Sequence, residues 1–154
     1  MSIVLTSSES FIPLIGKELG LSNWIKVDQT MIDKFAAASL DYQWIHVDSK
    51  KASDESPYHK TIAHGFLTLS LFTYFLGQII KVDNLDKVVN YEIEKMIFKN
   101  AVPVNSRLRM KAFLKGIKDL GNICSATIQC VFEIEGQPEP VLEGNIKYLY
   151  YFKK

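Results

Sequence analysis

TIAHGFLTLSLFTYFLGQIIK, residues 61–81, is the stretch whose reading decides the fold. From Gly65 onward it predicts a helix of about four turns that is apolar on most sides. A helix of that kind must be enclosed by other parts of the chain. The run Phe66 to Ile80 is shorter than the ~20 residues of a membrane span. It also carries Thr68, Ser70, Thr73 and Gln78. It therefore predicts a buried helix and no membrane association.

After that helix the hydrophobic period changes from helical to alternating. In RLRMKAFL, Leu108, Met110, Ala112 and Leu114 alternate with Arg107, Arg109, Lys111 and Phe113, which predicts a half-buried strand. Asp119-Leu120-Gly121-Asn122 is a hairpin signal. From Ile123 to Ile134, Cys124, Ala126, Ile128, Cys130, Phe132 and Ile134 share one face. Glu135 to Pro138 turns the chain again, and Leu142, Gly144, Ile146, Tyr148, Tyr150 and Phe152 form one face of a last long strand. Val88 to Lys99 is strand-like too, with a slip of apolar phase between Ile93 and Met96 that predicts a bulge.

Before the helix, Trp24 to Val27 reads as a short strand. Asp28 is placed to cap a helix that opens near Met31 and ends near Asp41. Residues 47–60 are polar and read as irregular, with Pro57 breaking any helix there. The expectation is an α+β fold, an antiparallel β-sheet wrapped around a central hydrophobic helix. The 154 residues have the size of one domain, and the whole chain, 1–154, is expected to form it.

Composition excludes several function classes. Apolar residues make up 47% of the chain and aromatics 12%, which supports a packed core. The net charge of +1 is too balanced for a dedicated nucleic-acid binder. No secretory signal is visible at the N-terminus. Cys124 and Cys130, six positions apart on one strand, would lie near 20 Å from each other, too far for a disulfide. Two free buried thiols fit a reducing compartment, hence a cytoplasmic location.

The chemistry concentrates in DYQWIH, residues 41–46. If Tyr42 to Ile45 make one tight turn, Asp41 and His46 reach a common pocket, where an acid and an imidazole sharing a water do general acid/base work. On spacing alone a second reading stands beside it: a helix-ending acid and a hydrogen-bonded core histidine. His64-Gly65 opens the buried helix, and free N–H groups there suit a developing oxyanion, with no Cβ on Gly65 to obstruct a ligand. Gly65 also fits a plain tight entry into the helix. Asp41, His46, His59 and His64 are metal ligands by residue type, but their spacing matches no common zinc pattern, and no metal or other cofactor is expected. Arg107, Arg109 and Lys111, and separately Lys50, Lys51 and Lys60, are either phosphate contacts or solvated faces.

DYQWIHVD followed by TIAHGFLTLSL resembles the hydratase motif of MaoC-like dehydratases, the R-specific enoyl-CoA hydratases, most of all the subgroup resembling nodulation protein N. NYEIEKMIFKNAVPVNSRLR, residues 90–109, is similar to that subgroup's next strand and turn. The resemblance implies a hot-dog fold working as a homodimer. It implies hydration of a trans-2-enoyl thioester, on CoA or acyl carrier protein, to the 3R-hydroxyacyl thioester, with Asp41, His46 and Gly65 catalytic. His64, Ser70 and Thr73 are then expected to bind substrate, with Asp48 bracing the loop. The chain differs from the family at Leu40, where glycine is frequent, and at Ser56 to Lys60, where the family is often glycine-rich. A hot-dog thioesterase is the rival enzyme, although Phe66 to Ile80 contains neither Asp nor Glu. A non-catalytic acyl-thioester-binding protein is the third reading, and it has no need of a water-activating pair.

Overall fold

The computed structural model describes residues 3–153. In chain order the first half contains β1 (Ile3–Leu5), a 3-10 helix (Ser8–Leu14), β2 (Glu18–Leu21), β3 (Ile25–Val27), and the helices α1 (Gln29–Ser39), α2 (Trp44–Val47), α3 (Ser49–Glu55), α4 (Gly65–Ser70) and α5 (Phe72–Ile79). Then come β4 (Ile80–Val82), β5 (Leu85–Phe98), β6 (Ser106–Asp119), β7 (Ile123–Ile134) and β8 (Leu142–Phe152). The main sheet is antiparallel in the order β2-β6-β7-β8-β5, with β3 also pairing with β6. β1 and β4 form a small parallel pair.

The alternating pattern of β6 and β7 maps directly onto burial. Leu108, Met110, Ala112 and Leu114 on β6, and all six predicted residues on β7, are buried. Phe72, Phe75, Leu76 and Ile79 of α5 pack down onto that face. Phe75 meets Phe132 edge-on at 5.8 Å, and Phe72 meets Tyr148 at 5.1 Å. This is the expected α+β hot-dog arrangement, a sheet curved around a helix.

Three expectations need correction. The central helix is two segments, not one. At Leu71 the N–H turns back to Thr68 O at 3.3 Å, a tight i→i−3 bond, while Ser70 Oγ donates to Leu67 O at 2.7 Å. The helix is not enclosed on every side either. Phe66 and Tyr74 are 69% and 55% exposed, and Ser70, Thr73 and Gly77 lie on the same open side. Third, residues 47–60 are not irregular throughout, because Asp48 Oδ1 accepts from Lys51 N at 2.9 Å and caps α3.

The bulge expected after Ile93 is present: the β5–β8 register shifts between Glu94 and Ile97, and Lys95 sits at φ 46°. Gly144 of β8 makes room for it, since a Cβ there would approach Met96 Cα to 2.8 Å. The basic row on β6 is paired. Arg107 binds Glu135 at 2.9 Å and Arg109 binds Glu133 at 2.9 Å, so these side chains are committed to cross-strand acids. Both cysteines are buried and free, and burial pushes their thiols up to about 11 for Cys124 and about 12 for Cys130. Among the described residues no helix is long and apolar enough to cross a membrane.

Candidate active site

α1 delivers Asp41. Asp28 Oδ1 caps its start by accepting from Met31 N at 2.9 Å. Leu40 ends it in the left-handed conformation, at φ 60°. Asp41 then folds its own loop, accepting Gln43 N at Oδ1 at 3.3 Å. His46 N closes a turn onto Gln43 O at 2.9 Å, and the single-turn helix α2 carries the imidazole inward, where it is 8% exposed. The tight turn required of Tyr42 to Ile45 is therefore present.

His46 Nδ1 lies 2.8 Å from the carbonyl of Ile62. A carbonyl only accepts, so Nδ1 carries the proton and Nε2 of the neutral ring holds a free lone pair. Burial lowers the His46 pKa below its ordinary 6.5, and the neighbouring His64 pushes the same way. The Ile62 carbonyl and the Asp41 carboxylate pull in the opposite direction without reversing the shift. The ring is accordingly a neutral base near pH 7.

His64 stacks on His46, with centroids 3.8 Å apart and planes 24° from parallel. Its Nε2–H donates to Asp41 O at 3.0 Å, and its Nδ1 is buried without a partner. His64, expected to bind substrate, is 3% exposed and touches Asp41 and His46. One carboxylate oxygen of Asp41 and one ring nitrogen from each histidine lie within 4.8 Å of one another, so these residues are the candidate cation ligands. The stack opposes one ion using all three. Each lone pair lies in its own ring plane, and near-parallel planes do not converge on a point ~2.1 Å from both nitrogens. His59 stands apart, with its ring facing Ser53 O at 3.3 Å.

Gly65 follows His64 and opens α4, as expected. A Cβ there would meet the Phe98 ring at 2.8 Å, so the close approach of that ring requires glycine. Gly65, Tyr58, Thr68 and Phe98 line a cavity of about 350 Å³. Ser70 and Thr73 line a different one, about 430 Å³, further along the helix. The structure thus gathers Asp41, His46 and His64, while Gly65, next to His64 in the chain, lines one cavity and Ser70 and Thr73 line another.

Two further supports have no counterpart among the sequence-based expectations. Gln29 donates to His46 O at 2.8 Å and accepts from Thr61 Oγ1 at 2.6 Å, tying α1, α2 and the approach to α4 together. The other is the Ile62 carbonyl itself. A backbone group carries no sequence signature, and a glutamine in the first turn of a helix reads as an ordinary surface residue.

The family model described as the MaoC like domain matches residues 10–131. The chain belongs to the MaoC-like family. It is 39% identical over 137 residues to 3-hydroxyacyl-thioester dehydratase Z of Mycobacterium tuberculosis, covering 87% of this chain and 90% of that protein. It is 41% identical over 133 residues to nodulation protein N of Rhizobium leguminosarum bv. viciae, covering 85% and 83%. Among solved structures it superposes on the (R)-hydratase from A. caviae involved in PHA biosynthesis, with TM-score 0.71, 21% identity and 87% and 94% coverage. A MaoC-like dehydratase from Rhodospirillum rubrum gives TM-score 0.71 at 18% identity, covering 91% and 94%. At those identities the two structures establish the shared fold.

Within the MaoC-like motif, the departure at Leu40 has a physical meaning. The residue before Asp41 adopts a left-handed conformation, in which glycine is free of strain and leucine carries a cost of ~1–2 kcal/mol. The segment before the TIAHG motif also differs from the usual glycine-rich one. Tyr58 of that segment lines the Gly65 cavity.

Proposed function

We propose that this MaoC-like chain is a hydro-lyase acting on acyl thioesters. It adds water to a trans-2-enoyl-CoA, or the acyl-carrier-protein equivalent, to give the 3R-hydroxyacyl thioester, and runs in reverse as a dehydratase. The observation that carries this reading is the proton assignment at His46: with Nδ1–H given to Ile62 O, the ring offers Nε2 as a base in a cluster with the Asp41 carboxylate.

Asp41 and His46 hold one water between them. As His46 Nε2 takes a proton from it, the water oxygen bonds to the β-carbon and the β–α double bond becomes an enolate on the thioester. The Gly65 N–H donates to the thioester oxygen as it gains charge. The proton held by the pair then passes to the α-carbon, and the product keeps all the atoms of water. Asp41 keeps the imidazole oriented and stabilises it when charged. Ser70 and Thr73 line the acyl compartment, and His64 supports the pair through Asp41 O and the ring stack. The reaction needs no cofactor.

The protein acts as a homodimer in this reading, because the open side of α4–α5 and the outer strand β5 expose apolar residues that a second copy would cover. The buried free thiols suit a cytoplasmic setting.

The test follows the loss of enoyl absorbance when crotonyl-CoA is mixed with the protein. Asp41→Asn and His46→Ala are each expected to lower kcat/KM by ~10²–10⁴-fold. Full activity in either variant overturns the pair. Release of free CoA without hydration assigns a thioesterase instead, and chiral analysis of the product checks the 3R configuration.

A further inference from the structure

His46 is held at its ring and at its backbone by groups that also hold each other. The ring gives Nδ1–H to the Ile62 carbonyl at 2.8 Å, and the His46 carbonyl accepts from Gln29 Nε2 at 2.8 Å. Gln29 Oε1 in turn accepts from Thr61 Oγ1 at 2.6 Å, and Thr61 is the residue before Ile62. The hydrogen bonds therefore close a loop that runs from the His46 carbonyl through Gln29, Thr61 and the Ile62 carbonyl back to the His46 imidazole. They span 17, 32 and 16 residues, so no local turn accounts for them.

The partners fix the orientation of the Gln29 amide. Nε2 faces the His46 carbonyl and the Asp33 carboxylate, each at 2.8 Å, and both only accept. Oε1 faces a hydroxyl that donates. The segment that carries Thr61 and Ile62 is also held from its other edge. Val104 N–H donates to Thr61 O at 2.9 Å, and Ala63 N–H donates to Val102 O at 2.8 Å. Both backbone groups of Ile62 are left for α2, and its N–H donates to Ile45 O at 3.1 Å. Thr61 is 1% exposed, so loss of Gln29 would leave a buried hydroxyl unpaired. His46 lies in the last turn of α2, where its carbonyl has no partner within the helix. Gln29 supplies that partner.

A neutral imidazole has two tautomers, and only the one with Nδ1–H leaves Nε2 as the base. The choice depends on the Ile62 carbonyl staying within reach of the ring. The Gln29–Thr61 bond ties together the backbone on either side of that contact. We propose that Gln29 and Thr61 are positioning residues that lock His46 in the Nδ1–H tautomer and so keep Nε2 free to take a proton. They act through the His46 backbone and the Ile62 carbonyl. The inference deepens the hydro-lyase reading above and rests on it for its kinetic part.

The experiment compares the wild type with Gln29→Met, Thr61→Val and Thr61→Ser. Methionine keeps the length of glutamine without its amide, and valine keeps the shape of threonine without its hydroxyl. Long-range proton–nitrogen NMR spectra of the imidazoles are recorded at about pH 8, above the His46 pKa, beside steady-state hydration of crotonyl-CoA and thermal melting. The wild type is expected to carry the His46 proton on Nδ1 alone. Gln29→Met is expected to populate the Nε2–H form and to lower kcat by about ten- to a hundredfold, with KM within about twofold. Thr61→Val has a smaller effect of the same kind, because Gln29 still reaches His46 O. Thr61→Ser restores the hydroxyl and with it most of kcat. Folded Gln29→Met and Thr61→Val proteins that melt earlier but keep the Nδ1–H tautomer assign both residues to support of the fold alone and overturn the proposal. A mixed tautomer at unchanged kcat, or a wild type protonated on Nε2, overturns it as well. If Gln29→Met does not fold, Thr61→Val and Thr61→Ser make the same comparison. If the wild type does not hydrate crotonyl-CoA, the hydro-lyase reading falls and the tautomers alone judge the lock. Loss of the pure Nδ1–H form in the variants then upholds it, and its retention overturns it.

Discussion

β7 and β5 belong to one sheet and differ in what surrounds them. β7 lies between β6 and β8, and its alternate residues are buried without exception from Cys124 to Ile134. β5 pairs on one side only, with β8, and its register shifts three times, between Leu85 and Lys87, Asn90 and Glu92, and Glu94 and Ile97. Most of its apolar side chains are exposed, Tyr91 at 64% and Ile93 at 55%, and only Leu85 and Met96 pack against the core. Alternation reports burial where a strand is held by neighbours on both edges and roofed by a helix. On an outer strand the same residue types report a surface that something else must cover.

The largest expected effect is at the centre. Phe132→Ala removes a fully buried ring that packs against Phe75, and is expected to cost ~3–5 kcal/mol in urea unfolding. A loss below about 1 kcal/mol would mean that β7 is not the centre of the core. Next is the seam between β8 and the bulge. Gly144→Ala drives a methyl against Met96 Cα and Lys95 O, with an expected cost of ~1–3 kcal/mol. Unchanged stability there would show that β5 shifts freely and that its bulge is not held in place.

Ile93→Lys on β5 is expected to leave unfolding within about 0.5 kcal/mol for the separated chain. It should nonetheless abolish self-association as measured by light scattering; a dimer that survives it places the contact elsewhere. The mildest effect is at His46. Its folded pKa lies below the unfolded value of about 6.5, so the unfolded chain takes up the proton first as the pH drops. The stability present above about pH 6.5 is therefore lost as the pH falls from the unfolded towards the folded pKa. His46→Ala should flatten that decline between about pH 7.5 and 5.5, and an equally steep decline in the variant would remove His46 as its source.

The candidate site is less evenly legible in the sequence than the sheet. Asp41, His46 and Gly65 stand out because a polar pair beside an apolar helix is conspicuous. His64 stands out for the same reason, yet it faces the pair and not the solvent. Ser70 and Thr73 read as pocket residues and do line a cavity, one separate from that of Gly65. Gln29 and the Ile62 carbonyl are illegible, because the hydrogen bonds that give them importance reach 17 and 16 residues along the chain.

What the sequence determined by itself is local and periodic. It specified the strand faces of β6, β7 and β8, the Asp28 cap, the hairpin turns, the β5 bulge and the acid–histidine turn. Each of these follows from neighbours within a few positions. Tertiary structure decided the rest. It broke the central helix at Leu71, turned one side of it and of β5 outward, fixed the His46 proton through Ile62, and tied Thr73 to Tyr148 across 75 residues. These outcomes depend on which distant groups arrive within hydrogen-bonding or van der Waals reach, and periodicity carries no record of that distance.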